Sequence, residues 1–155
     1  MRFEELVLEK YGSYKSLALR LPETPGLLVI YGPNEAGKST CLAAISDFLF
    51  GIPNQSAHGQ LFGNEQMRLT ATLRRASGER LTLRRRKGRT KTLTDGDGKL
   101  LDENVLSTLL GATDRAKWSS LFGLNHESLR EGGKRGERQC PGAEPAPKHE
   151  PARRC

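Results

Sequence analysis

Apolar residues follow three different rhythms along this chain. From Leu27 to Tyr31 every position is apolar, which predicts a strand buried on both faces of a sheet covered by helices. Gly32 ends that run. Leu42, Ile45, Phe48 and Leu49 then recur at helical spacing until Gly51 and Pro53 supply a stop. Upstream, Phe3 to Leu8 and Ser16 to Leu21 read as two short strands flanking the buried one. Downstream the period becomes two: Leu69, Ala71 and Leu73 alternate with Arg68, Thr70, Thr72 and Arg74, and Leu81 and Leu83 alternate with Arg80, Thr82 and Arg84. Arg75 to Glu79 make the turn between them. A third strand, Thr90 to Thr94, meets Asp95-Gly96-Asp97-Gly98, a strong turn signal, before Lys99 to Leu101. Asp102 is placed to cap a helix from Glu103 to Leu110. Thr113 or Asp114 is placed to cap another reaching Phe122, with Trp118, Leu121 and Phe122 facing inward.

The chemistry lies between the apolar run and the first helix, in Gly32-Pro33-Asn34-Glu35-Ala36-Gly37-Lys38-Ser39-Thr40. In a phosphate loop the glycines take backbone angles that other residues resist, so that successive N–H groups turn inward around the β-phosphate. Lys38 then reaches the β- and γ-phosphates, Ser39 offers a hydroxyl to Mg²⁺, and the helix starting near Lys38 turns its positive end toward the anion. The elements predict an α/β, P-loop NTPase N-terminal lobe: a mixed sheet with a phosphate-loop helix and a β-meander, followed by short helices. ATP and Mg²⁺ are the expected ligands.

Composition changes this picture at one end. Residues Gly132 to Cys155 hold four prolines and four glycines and no Leu, Ile, Val, Met, Phe, Trp or Tyr, so the stretch has nothing to bury. It reads as a disordered Pro/Gly-rich tail, of the kind a truncated or frame-shifted gene yields, after a single domain over 1–131. The start, Met1-Arg2-Phe3-Glu4-Glu5, carries acids where an export signal has a basic stretch and an apolar core. The longest apolar run is far below the ~20 residues of a membrane span. Three scattered cysteines build no disulfide framework. A cytoplasmic protein without a membrane partner is expected.

The loop, the helix after it and Gly51-Ile52-Pro53 resemble the YhaN-type ATPases, relatives of SbcC, RecF and the SMC proteins. The similarity continues through Leu81-Thr82-Leu83-Arg84-Arg85-Arg86-Lys87-Gly88 and Leu93-Thr94-Asp95-Gly96-Asp97-Gly98, and through the run from Phe122 to Gly133. In that family such a stretch is the N-terminal lobe of an ATPase head, connected with DNA repair or chromosome maintenance. The resemblance implies a C-terminal lobe with Walker B acids and signature motif, a second head, and possible contact with DNA. Where SbcC-like relatives carry a phosphate-binding arginine in the first inter-strand loop, this chain has Gly12, with Lys10 or Lys15 as substitutes. Where they carry a Mg²⁺-sensing glutamine, it has Asn125 and His126, and Asn125 serves equally well as a helix cap.

The net charge of +7 is concentrated in Arg74, Arg75, Arg80, Arg84, Arg85, Arg86, Lys87, Arg89 and Lys91, with only Glu79 among them. Arg84, Arg85, Arg86, Lys87 and Arg89 are candidate DNA-backbone contacts. No aromatic residue is interleaved to stack on bases, and a solvated sheet edge explains the cluster as well. Leu100-Leu101-Asp102-Glu103 imitates a Walker B site, but only two leucines precede the acids and a helix follows, so a cap is preferred. Without Walker B acids the chain is expected to bind ATP and not hydrolyse it. The competing readings are a DNA-binding module with nucleotide as a structural ligand, and a small P-loop kinase, which the β-rich basic meander disfavours.

Overall fold

The computed structural model describes residues 1–24, 26–111 and 113–123. Asn125, His126 and the tail from Gly132 lie outside the described residues.

Five strands form one antiparallel sheet in the order β2-β1-β3-β4-β5: β1 Arg2–Lys10, β2 Leu17–Arg20, β3 Arg68–Arg74, β4 Arg80–Arg86 and β5 Leu93–Asp95. Period two is obeyed apart from register shifts in β1 between Phe3 and Glu5 and between Leu8 and Lys10. Leu6 and Leu8 of β1, Leu69, Ala71 and Leu73 of β3, Leu83 of β4 and Leu93 of β5 all turn to one face and are buried. The other face carries Glu5, Thr70, Thr72, Thr82, Arg84 and Thr94, brought side by side by the register.

Helix α1, Lys38–Phe50, lays Ala44, Phe48 and Leu49 on the apolar face. Phe48 meets Phe3 edge-on at 5.9 Å between ring centroids. Leu106 of α2, Asn104–Leu110, closes the same core. In front of it, the Asp102 carboxylate accepts the Asn104 N–H at 2.8 Å, as expected of a capping residue. Asp114 does the same for the Lys117 N–H at 2.7 Å at the head of α3, Arg115–Phe122. Trp118 packs on Phe50, whereas Leu121 and Phe122 are exposed, contrary to the inward orientation expected of them.

The apolar run departs most from expectation. Leu27 to Tyr31 is not a strand: Leu27 and Tyr31 are 92% and 91% exposed, and no backbone hydrogen bond joins the segment to another element among the described residues. The physical reason is geometric. The antiparallel sheet fills its apolar face with α1 and α2, and β1 already has β2 and β3 as neighbours, so no strand position beside β1 remains for this segment.

Candidate nucleotide site

The loop 32–40 opens into α1 without a side-chain cap. Gly37 occupies the N-cap position at φ 83°, in the left-handed region, and α1 has no acid in its first turn. Its first N–H groups are thus left to a ligand, and no acid of the first turn neutralises the positive end of the helix. Glu35, with φ 66°, shares the left-handed conformation, which costs a non-glycine residue roughly 1–3 kcal/mol and persists where surrounding structure enforces it.

The Lys38 ammonium lies across the loop. It donates to the carbonyls of Gly32 and Pro33, both at 2.7 Å. An ammonium has three N–H donors, so two bonds fix its position over the loop and one remains for an anion. This is an arrangement into which a phosphate chain fits: a cation held by the loop's own backbone, beside uncapped helix N–H groups. Ser39 is exposed next to it, where a hydroxyl can meet a metal that rides on phosphate oxygens.

The turn between β1 and β2 presses on this site. Gly12, at φ 62°, is so close to α1 that a Cβ there would lie 2.6 Å from the Thr40 methyl. Tyr14 donates its hydroxyl hydrogen to the Ala36 carbonyl at 2.8 Å. Of the two lysines of this region, Lys10 is bound to Gln66 at 2.7 Å, and Lys15 is exposed.

Two buried polar networks support α1 from behind, and the sequence indicated neither. The Tyr11 hydroxyl donates to Asp47 at 2.7 Å, and Arg115 of α3 donates to the other Asp47 oxygen at 2.8 Å. Burial first, then the hydrogen bond to Asp47 and the Asp47 charge, push the Tyr11 phenol well above its ordinary range. In the second network Arg85 donates to the Phe48 carbonyl at 2.5 Å, to Thr92 at 2.8 Å and to both Glu103 oxygens. Burial pushes the Glu103 carboxyl up, but hydrogen bonds from Arg85 and Thr92 and the Arg85 charge hold it below its usual value.

Arg85 therefore leaves the set of candidate DNA contacts. It is 1% exposed, because alternation along β4 sends Arg84 and Arg86 to the outer face and Arg85, with Leu83, inward. Of the remaining four, Arg84, Arg86 and Arg89 are exposed, and Lys87 donates to the Asn54 carbonyl at 2.6 Å. Cross-strand pairing places Arg86 beside Arg68 and Arg68 beside Lys10, a basic row across three strands. Arg84 is partly compensated by Glu9 at 3.3 Å.

A family profile described as "AAA domain" matches residues 1–136. The chain belongs to this AAA domain family. It is 28% identical over 142 residues to the "Uncharacterized protein YhaN" of Bacillus subtilis (strain 168), covering 84% of this chain and 14% of that protein. The AAA-domain chain thus spans a small part of the length of its curated relative. A chain solved in work on the "Structural biochemistry of ATP-driven dimerization and DNA stimulated activation of SMC ATPases" superposes with a TM-score of 0.51 at 15% identity, over 84% of this chain and 96% of that one. That likeness concerns the fold. The resemblance to YhaN-type, SMC-like ATPases is borne out, as is the α/β P-loop class, and nucleotide binding follows at the level of the family. No helix among the described residues is long and apolar enough to cross a membrane.

Proposed function

We propose that this AAA-domain chain binds ATP with Mg²⁺ through residues 32–40 and acts as the nucleotide-binding lobe of an SMC-like ATPase head. The observation that carries this reading is the Lys38 ammonium, held over the loop by the Gly32 and Pro33 carbonyls at the uncapped end of α1. Lys38 would neutralise phosphate charge, the Gly37 and Lys38 N–H groups would hold phosphate oxygens, Thr40 would close the loop against the β1–β2 turn, and Ser39 would supply a metal ligand. Mg²⁺ would neutralise phosphate charge when bound. Asn125 is proposed as a further contact on the metal side.

Hydrolysis is assigned to a complete head rather than to this chain alone. Phosphoryl transfer needs a positioned water and an acid delivered by an apolar strand. β5 does end on an acid, Asp95, but its carboxylate accepts the Asp97 and Lys99 N–H groups and is used by the turn. A C-terminal lobe and a second head are the proposed sources of the missing groups, in a cytoplasmic setting connected with DNA repair or chromosome maintenance. Calorimetric titration with Mg-ATP tests the reading. Lys38→Ala should weaken binding by at least about tenfold, the scale of a charge-assisted hydrogen bond, and equal affinity of variant and parent would refute the assignment.

A second reading, DNA binding on the outer sheet face, is favoured by the basic row Lys10, Arg68 and Arg86 with Arg84, Lys87 and Arg89 near its end. The related fold studied for DNA-stimulated activation supports it by analogy.

A further inference from the structure

The β1–β2 turn touches the nucleotide element at three successive places. Tyr11 bonds Asp47 toward the C-terminal end of α1, Gly12 packs on Thr40 in its first turn, and Tyr14 bonds Ala36 in the loop before it. The turn is itself stiff. Tyr11 and Tyr14 exchange both backbone hydrogen bonds, at 3.0 and 3.1 Å, and the Gly12 N–H is fixed by the His58 carbonyl at 2.8 Å. The Tyr11 ring stacks on His58 at 4.8 Å, which anchors the turn from a further element. Three anchors along α1 and its loop exceed what is needed to connect two strands.

Tyr14 is the anchor with a chemical consequence. Its ring covers one side of the loop so closely that a Cβ on Gly37 would lie 1.8 Å from the Tyr14 hydroxyl oxygen. In a trans peptide the C=O and the following N–H point in opposite directions. A hydroxyl that holds the Ala36 C=O therefore turns the Gly37 N–H to the opposite face. That face is the one left for an anion, because the Tyr14 ring occupies the other. The Gly37 N–H has no hydrogen-bond partner among the described residues.

We infer that the Tyr14 hydroxyl is a positioning group for the nucleotide loop, orienting the Ala36–Gly37 peptide so that the Gly37 N–H is set for a phosphate oxygen before the nucleotide arrives. The inference rests on the proposed binding of ATP at this loop. It assigns Tyr14 to the phosphate end of the ligand, not to the base, and this separates it from the alternative in which the ring stacks on adenine.

The test uses the full chain with Tyr14→Phe, which removes one oxygen and keeps the ring, and with Tyr14→Ala, which removes both. Mg-ATP and inorganic pyrophosphate are titrated into each by calorimetry, with Lys38→Ala as the control for the site. Loss of one neutral hydrogen bond predicts about threefold to tenfold weaker binding of both ligands by Tyr14→Phe, with an unchanged melting temperature. In nucleotide-free protein the Ala36 carbonyl ¹³C resonance should move upfield in Tyr14→Phe, while those of Leu6 and Leu69 stay in place. Parent-like affinity of Tyr14→Phe with an unmoved Ala36 resonance overturns the inference while leaving the nucleotide reading intact. So does a Tyr14→Ala variant that loses ATP but keeps pyrophosphate. A parent that binds neither ligand refutes the nucleotide reading, and the positioning role falls with it.

Discussion

Arg85 means opposite things on the surface and in the core, so replacing it separates a DNA contact from a structural cation. Its side chain is 2% exposed, whereas that of its partner Glu103 is 49% exposed. Arg85→Met keeps length and apolar volume but strands the Phe48 carbonyl and frees Glu103, which is able to rehydrate. An orphaned buried carbonyl together with a broken charge-assisted pair predicts a loss of about 2–4 kcal/mol. Glu103→Ala is the worse cut, since it leaves a buried cation with only Thr92 and the Phe48 carbonyl, and about 3–5 kcal/mol is expected. With both changes the uncompensated charge disappears and only the orphaned carbonyl remains, so the double variant should fall short of the sum by at least about 2 kcal/mol. Urea unfolding followed by the fluorescence of Trp118, the one tryptophan of the chain, reads all three values. Costs that add within about 0.5 kcal/mol would refute the network. Arg85→Met with unchanged stability and weakened DNA affinity would return Arg85 to the surface.

The outer face, the paired acids and the loop each give a further expectation. Replacing Arg84, Arg86, Lys87 and Arg89 with Gln should weaken duplex DNA binding and reduce its salt slope by up to about 0.9 for each phosphate that is no longer neutralised, and an unchanged slope would leave the outer face a solvated surface. The Glu103 carboxyl is held lower in the folded than in the unfolded chain, so the unfolded state takes up protons first as pH falls; its contribution is complete above the ordinary carboxylate range and is lost as pH drops through the folded pKa. Glu4, which burial raises and Arg74 and Arg80 more than offset, acts in the same direction; melts at neutral and acidic pH should therefore show a smaller acid loss in Glu103→Ala than in the parent. Purified chain should release phosphate from ATP far more slowly than about 1 per second, the low end of ordinary enzymes, and Lys38-dependent turnover at or above that rate would show a complete catalytic site.

Elements whose signals are local were legible in the sequence. The alternation of Leu69, Ala71 and Leu73, and of Leu81 and Leu83, marked β3 and β4, and α1 begins at Lys38, the residue expected to open it. Asp102 and Asp114 cap because an acid before a helix has one N–H geometry to satisfy, whatever the rest of the chain does. Signals that depend on distant partners were not legible. Arg85 sits in a run of three arginines, and composition hides that alternation must send the middle one inward; only Glu103 and Thr92, brought there by folding, make its burial tolerable. Asp47 and Tyr11 lie 36 residues apart and pair only because folding brings the β1–β2 turn against α1. The run Leu27–Tyr31 failed for a related reason: an apolar run reports a preference for leaving water, not whether a neighbour exists to receive it.

That run bears on the site it precedes. The downstream half of the loop is held by α1, by Thr40 against Gly12 and by Tyr14 on Ala36. The upstream half, Gly32 and Pro33, is joined to the rest through the Lys38 ammonium and through the Ala36 N–H, which donates to the Pro33 carbonyl at 3.3 Å, and it continues into an exposed segment. Any backbone freedom that a ligand removes from this exposed arm on binding costs roughly 1–2 kcal/mol per residue fixed. On the proposed binding of ATP at this loop, a partner that covers Leu27 to Tyr31 would meet that cost beforehand and tighten the binding. By linkage, bound nucleotide must then favour the covering partner by the same factor. On that proposal the loop and the exposed segment respond together, because Lys38 and the Ala36 N–H both join the upstream arm to the start of α1.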